Sequence, residues 1–249
     1  MKVSEFKTAG KLVTGLGAIK ALPDEMSRLS IKECAIVTDK GVSSSGLLDQ
    51  LLTLLPSSPL LIIDDIPPEP EVNIIEDKLA ILREKQVDGI IALGGGSAID
   101  SAKVLAATYD HTGSLSELFG ENTLSKRRLP LIVIPTTAGT GSEVTNIAIL
   151  SDPIAQMKKG IVSPCLLPDV AIVAPEMTKT CPQSITAASG IDAFVHALEA
   201  YISVNASPIT DALAEKALKL IFNSLLHAYN NGENLAARED MATGSLMAG

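Results

Sequence analysis

Tryptophan is absent, and phenylalanine and tyrosine together contribute only seven residues to a 249-residue chain. A core must therefore be built from Ile, Leu, Val and Ala. Cations are also in short supply. Twenty Lys and Arg stand against 29 Asp and Glu, a formal net charge of −9. That balance argues against a protein that grips a nucleic-acid backbone, so no nucleic-acid partner is expected. A small anionic ligand stays compatible with it, because backbone N–H groups can hold one locally. The three cysteines, Cys34, Cys165 and Cys181, have neither metal-type nor redox-type spacing. An odd number in a chain of this size points to a reducing compartment, and the cytoplasm is the expected location. No apolar run is long enough to span a bilayer, since Asp, Lys, Pro or Gly interrupts each one, and no membrane partner is expected. The opening "MKVSEFKTAGKLVTG" has no continuous apolar stretch of the signal-peptide kind. Repeats and low-complexity tracts are lacking as well.

What is present is an alternation. Hydrophobic residues make up 46% of the chain, and 249 residues suffice for one large or two ordinary domains. "CAIVTD" (34–39), "PLLIID" (59–64), "DGIIALGGGS" (88–97), "LPLIVIPTT" (129–137) and "AIVAPEM" (171–177) read as strands. Between them, 46–55, 72–86 and 98–109 have helical spacing. In 72–86, Ile74, Ile75, Leu79 and Leu82 share one side and charges the other. Strand–helix alternation predicts an α/β fold with a doubly wound, mainly parallel, Rossmann-like sheet. Ligands of such sheets bind beyond the carboxyl ends of the strands. From Thr178 onward only helical patterns occur. Ser207-Pro208 and Asp240 fit helix starts, and "NNGEN" (230–234) fits a turn. The expected division is a dinucleotide-type α/β domain over 1–180 and the first part of a helical domain over 181–249.

Three stretches carry chemistry. Gly94-Gly95-Gly96-Ser97 follows an apolar strand and opens a helix. Glycines let the backbone approach a pyrophosphate, and a helix N-terminus offers unpaired N–H groups. The competing reading is a tight strand-to-helix turn without a ligand. Asp39 ends the first strand. A carboxylate there accepts from ribose hydroxyls and repels a 2′-phosphate, favouring NAD over NADP, although "TDKG" is also ordinary turn chemistry. Pro135-Thr136-Thr137-Ala138-Gly139-Thr140-Gly141-Ser142-Glu143 brings hydroxyls and glycines to another strand end, as a ligand loop or a structural one.

The third stretch is "GIDAFVHALEAY" (190–201). At about 100° per residue, Asp192, His196 and Glu199 share one stripe. Ile191, Phe194, Val195 and Leu198 flank it, so the polar groups are expected to face something enclosed. An i, i+4 Asp/His pair can hold a divalent cation, or can be a local hydrogen-bonded pair in a helical core. Two ligands do not complete a site, because a catalytic metal usually has three protein donors. His111 and His227, the other histidines, sit in a loop and near a helix end and are not expected to be ligands.

In this order and spacing, "GGGSAIDSAK", "PTTAGTGSEVT", "PDVAIVAP" and "GIDAFVHALEAY" resemble the iron-containing alcohol dehydrogenase family over nearly the whole chain. "FKTAGKLVTGLGAIKALP" is similar to that family's opening strand and glycine turn. The resemblance implies an NAD(P)-linked oxidoreductase that passes a hydride between NAD(H) and a metal-bound small alcohol or aldehyde. It implies Gly95, Gly96 and Ser97 at the pyrophosphate, Thr136, Thr137, Thr140 and Lys159 near the cofactor, and Asp39 setting cofactor preference. It gives Asp192 and His196 as the first two ligands of Fe(II) or Zn(II), with Glu199 behind them, and names no proton shuttle. It also implies a homodimer or larger homo-oligomer, with the apolar N-terminal strand as an edge for pairing. The family's other two metal ligands are histidines further along than residue 249, and Glu69 stands where many relatives carry asparagine. The chain is thus expected to be an N-terminal part of such an enzyme. The alternatives are a dinucleotide-binding fragment without catalysis and a zinc glycerol dehydrogenase-like relative.

Overall fold

The computed structural model of the chain describes residues 3–249. Its strands and helices run in the order β1 (Leu12–Thr14), α1 (Leu22–Arg28), β2 (Cys34–Val37), α2 (Lys40–Ser44), α3 (Leu47–Leu52), β3 (Leu61–Ile63), α4 (Val72–Lys85), β4 (Gly89–Gly94), α5 (Gly96–Thr108). There follow β5 (Gly120–Glu121), β6 (Leu131–Pro135), β7 (Ile147–Asp152), β8 (Met157–Val162), β9 (Val170–Val173), α6 (Gln183–Ile202), α7 (Pro208–Asn230) and α8 (Leu235–Ala248).

Six strands form one sheet in the order β1-β9-β6-β4-β2-β3, and every pairing is parallel. The central strands are buried on both faces, which is why they read as unbroken apolar runs. Alternate residues feed two separate cores. Ala35, Val37, Ile90, Ala92, Leu131 and Val133 pack with α4 and α5. Ile36, Ile91, Leu93, Ile132, Ile134 and Ile172 pack with α1 and α3 on the other face. The expected α/β doubly wound architecture is therefore present. The chain leaves β2 for β3 on one side and β4 for β6 and β9 on the other, so the switch point lies between β2 and β4.

A second sheet, β5-β8-β7, was not anticipated from the sequence. Its β7–β8 pair is antiparallel, with Ile147 opposite Val162 and Asp152 opposite Met157. Both faces of 147–150 carry apolar residues, so the period-2 signal that marks a half-buried strand is weak there.

Beyond the sheet, α6, α7 and α8 pack on one another through small residues, including Ala193, Ala197, Ala217 and Ala237. A Cβ on Gly190 would meet Leu225 Cδ1 at 2.3 Å, so glycine lets the Leu225 side chain of α7 lie directly against α6. Ser207 caps α7 with a reciprocal capping box and Pro208 occupies its first turn, as expected. Asp240 does not start a helix. Asn234 caps α8, and Asp240 lies inside it, accepting a 2.6 Å hydrogen bond from Ser224. The stripe around Asp192 is likewise more open than its neighbours suggest. The buried face of α6 is Thr186, Gly190, Ala193 and Ala197, whereas Ile191, Val195 and Leu198 are exposed.

Candidate functional site

The parallel register places three loops side by side at the carboxyl ends of β2, β4 and β6. They begin at Thr38, Gly95 and Thr136. Thr136 N–H donates to Gly94 O at 3.0 Å and ties two of them together. The loops also interlock through their side chains. A Cβ on Gly96 would lie 2.8 Å from Thr140 Cγ2, and one on Gly95 would lie 3.2 Å from Thr137 Oγ1. The absence of side chains at Gly95 and Gly96 lets the two loops pack closely, whatever ligand they serve. Asp39 caps α2 by accepting the Val42 N–H at 3.0 Å, so its turn-residue reading is satisfied as well.

Two cavities open on this edge. The larger, about 970 Å³, is a cleft between the loops and the helices. It is lined by Asp39, Gly95, Gly96, Ser97, Thr136, Thr137 and Thr140 on one side and by Cys181, Ile185, Ser189 and Asp192 on the other. Its floor near Asp39 is apolar, with Ile66, Pro67 and Pro68. The second, about 750 Å³, is a chamber bounded by α5, β7, β8 and α6, with Asp192, His196 and Glu199 on its helical wall. Gly96, Ser97, Thr140 and Asp192 belong to both. Volumes of this size suit small-molecule ligands.

Seven of the eight expected cofactor residues and both expected metal ligands thus meet around connected spaces. Asp192 Oδ1 and His196 Nε2 are 3.7 Å apart, one helical turn from each other, with side chains 46% and 38% exposed. Both are open to the chamber, so neither is a satisfied core group. Among the described residues, no group of three or more His, Cys, Asp or Glu is arranged to hold a metal. The two donors fit part of a coordination set and do not close one. His111 and His227 lie away from both cavities.

Lys159 is the exception. Its ammonium pairs with Asp152 at 2.7 Å and stands over the Phe119 ring. The strand alternation of β8 puts the preceding lysine on the cavity side. Lys158 lines the chamber and pairs with Glu69 at 2.8 Å. Glu69 itself has φ +53° and places its N–H 3.2 Å from Ser97 Oγ, at the mouth of the glycine loop.

Sequence reasoning missed the β7 wall (Ile147, Ile149, Leu150, Ser151) and a buried charge cluster behind it. Lys103 is wholly buried, with Asp100 Oδ1 at 3.6 Å. Burial pushes Lys103 down and Asp100 up, and each is opposed by the other's charge. Glu143, also buried, is pushed up to about 7 by desolvation. The available signal was a D-x-x-K on an Ala-rich helix one turn past a glycine loop.

The profile described as "Iron-containing alcohol dehydrogenase" matches residues 9–175, and "Fe-containing alcohol dehydrogenase family, C-terminal" matches 186–249. The long-chain-alcohol dehydrogenase 1 of Geobacillus thermodenitrificans (strain NG80-2) is 45% identical over 240 residues, 94% of this chain and 60% of that protein. The sulfoacetaldehyde reductase of Bilophila wadsworthia (strain 3_1_6) is 39% identical, covering 97% of this chain and 63% of its own length. Among solved structures, a 1,3-propanediol oxidoreductase superposes with a TM-score of 0.95 at 38% identity, over all of this chain and 65% of that one. A sulfoacetaldehyde reductase from Bifidobacterium kashiwanohense in complex with NAD+ gives 0.94 at 32% identity, over all of this chain and 66% of its own. The chain spans less than two thirds of the length of each of these relatives.

Proposed function

The chain belongs to the iron-containing alcohol dehydrogenase family, and from that premise we propose that it serves an NAD-linked oxidoreductase that interconverts a small alcohol and its aldehyde with a divalent cation. One observation carries this reading: Asp192 stands on the wall shared by the cleft and the chamber. A cation held there faces the dinucleotide space on one side and a substrate-sized space on the other.

Gly95, Gly96 and Ser97 hold the pyrophosphate at the start of α5, where free N–H groups and the helix dipole favour an anion. Thr137 and Thr140 keep the two loops in contact, with Thr136 beside them. Asp39, at the far end of the cleft, takes the ribose hydroxyls and disfavours a 2′-phosphate, so NAD is preferred to NADP. The lysine beside the ligands is Lys158 in place of Lys159. NAD accepts or returns the hydride, and the cation supplies Lewis acidity to the reacting oxygen. Asp192 and His196 provide a hard carboxylate and a borderline imidazole, a pair that suits iron or zinc. Glu199, on the same stripe, orients them. The α/β part ends near residue 180, and helical residues 181–249 bring the metal donors over the cleft. The protein is cytoplasmic and assembles as a homodimer or larger homo-oligomer, in which β1, the edge strand with Leu12 exposed, pairs with a second copy. Among the described residues no helix is long and apolar enough to cross a membrane.

The test uses the protein at the length of its relatives. NADH oxidation with small aldehydes is followed before and after chelation, and in His196→Ala. The expected result is a loss of at least about 100-fold in both cases, restored by iron or zinc only in the wild type. Turnover indifferent to both treatments rejects the metal role. NADH binding without any turnover favours a dinucleotide-binding chain without catalysis.

A further inference from the structure

β7 is an edge strand of its sheet, paired along one side with β8 and joined on the other by an isolated bridge from Ser151 to Glu71. Asn146 O accepts from Ser163 N–H at 2.9 Å on the β8 side. In an antiparallel ladder the bonding residues then alternate, so 148, 150 and 152 face β8 while 147, 149 and 151 point their backbone groups outward. Outward groups on a buried edge need partners. Ser151 N–H finds Pro70 O at 2.9 Å. On the other two residues, one group each is met by a side chain of α5. Lys103 Nζ donates to Ile147 O at 2.9 Å, and Asp100 Oδ2 accepts from Ile149 N–H at 2.9 Å. An acceptor and a donor three residues apart on one helix thus stand in for a missing strand. Lys103 also donates to Thr145 Oγ1 at 2.9 Å, in the turn that leads from the threonine loop into β7.

We infer that the buried Asp100–Lys103 pair is a positioning device that sets the register between the glycine loop and the chamber wall. The same helix begins at Gly96 and Ser97, on the cleft, and the strand it grips carries Ile147, Ile149 and Ser151 on the chamber. Gripping the two together fixes where a substrate lies relative to the dinucleotide, and in its catalytic consequence the inference rests on the function proposed above. Lys103 is wholly buried behind the wall, and Asp100, also buried, borders the chamber. A hydrophobic pair of the same size would not hold the strand edge.

Backbone hydrogen exchange of residues 145–151 in the protein at its relatives' length reads the grip directly and needs no cofactor. Asp100→Leu, which removes the acceptor, is expected to speed exchange of Ile149 at least about tenfold, whereas Asp100→Asn, which keeps an acceptor, stays within about threefold of wild type. Lys103→Met should lower kcat/KM for an aldehyde at least about tenfold while the Kd for NADH moves less than about threefold, the mark of lost orientation. If Lys103→Met does not fold, Thr145→Val removes one contact of the ammonium and is expected to shift both readouts in the same direction by a smaller factor. Unchanged exchange in Asp100→Leu overturns the grip. Faster exchange with unaltered kcat/KM overturns its part in positioning. A wild type with no affinity for NADH overturns the dinucleotide reading instead, and the exchange result still decides the grip.

Discussion

Glu143 shows how a single residue of the threonine loop carries a pH dependence. Its carboxyl ends a run of small residues and is buried, and desolvation lifts it from 4.5 to about 7. Between those values the folded chain keeps a proton that the unfolded chain releases. Stability therefore falls as pH rises from about 4.5 through about 7. Glu143→Gln removes the titration, so it is expected to stabilise the protein at pH 8 by on the order of 2 kcal/mol and to change little at pH 5, measured by denaturant unfolding at the two pH values. The residues that line the cleft were legible without a structure because their chemistry is local: glycines and hydroxyls directly after apolar strands. Which of two adjacent lysines faces the chamber was not legible, because they point to opposite faces of a strand and only the register with β7 puts Lys158 there.

At the scale of elements, the join between sheet and helices depends on one buried arginine. Arg238 of α8 donates to Cys181 O at 3.2 Å, to Thr186 Oγ1 at 2.9 Å and to Gly232 O at 3.0 Å. It thereby fastens the linker that enters α6, next to the Lys179–Glu233 pair. Arg238→Met removes three hydrogen bonds at a partly buried junction, leaving Cys181 O only its 3.4 Å bond from Thr186 Oγ1. A loss of about 3 kcal/mol is expected, seen as a lower thermal midpoint, together with faster thiol labelling of Cys181 on the cleft wall. A helix–helix contact of the kind made at Gly190 has no equivalent signature in a periodicity plot, which registers apolar faces and not the closeness that a missing Cβ allows. For that reason the stripe expected to face something enclosed is flanked by Ile191, Val195 and Leu198 in solvent, while the small residues of α6 form the packing face.

For the molecule as a whole, the cleft lies between two packed units, and a ligand that spans it adds contacts to both. Saturating NADH, at about 100 times its Kd, adds about 2.7 kcal/mol and raises the melting temperature by roughly 5–10 °C. NADPH should not do so in the wild type and should do so in Asp39→Gly, as differential scanning fluorimetry will record. A shift with NADPH as large as with NADH in the unaltered protein contradicts the ribose assignment. On the proposed function the acidic net charge places no obstacle, since backbone N–H groups at the start of α5, and not a basic surface, would meet the phosphates.

The strand–helix alternation of the parallel sheet, the three loops at its carboxyl edge and the one-turn spacing of Asp192 and His196 follow from the sequence by itself. Each depends on residues near one another in the chain, where apolar period, glycine freedom and helix geometry act directly. The antiparallel hairpin, the choice between Lys158 and Lys159, the open face of α6 and the Asp100–Lys103 grip on β7 were decided only in three dimensions. The hairpin and the lysine choice depend on the register of two strands, and the grip on β7 depends on segments more than forty residues apart meeting where a strand edge lacks a neighbour and a charge loses its water.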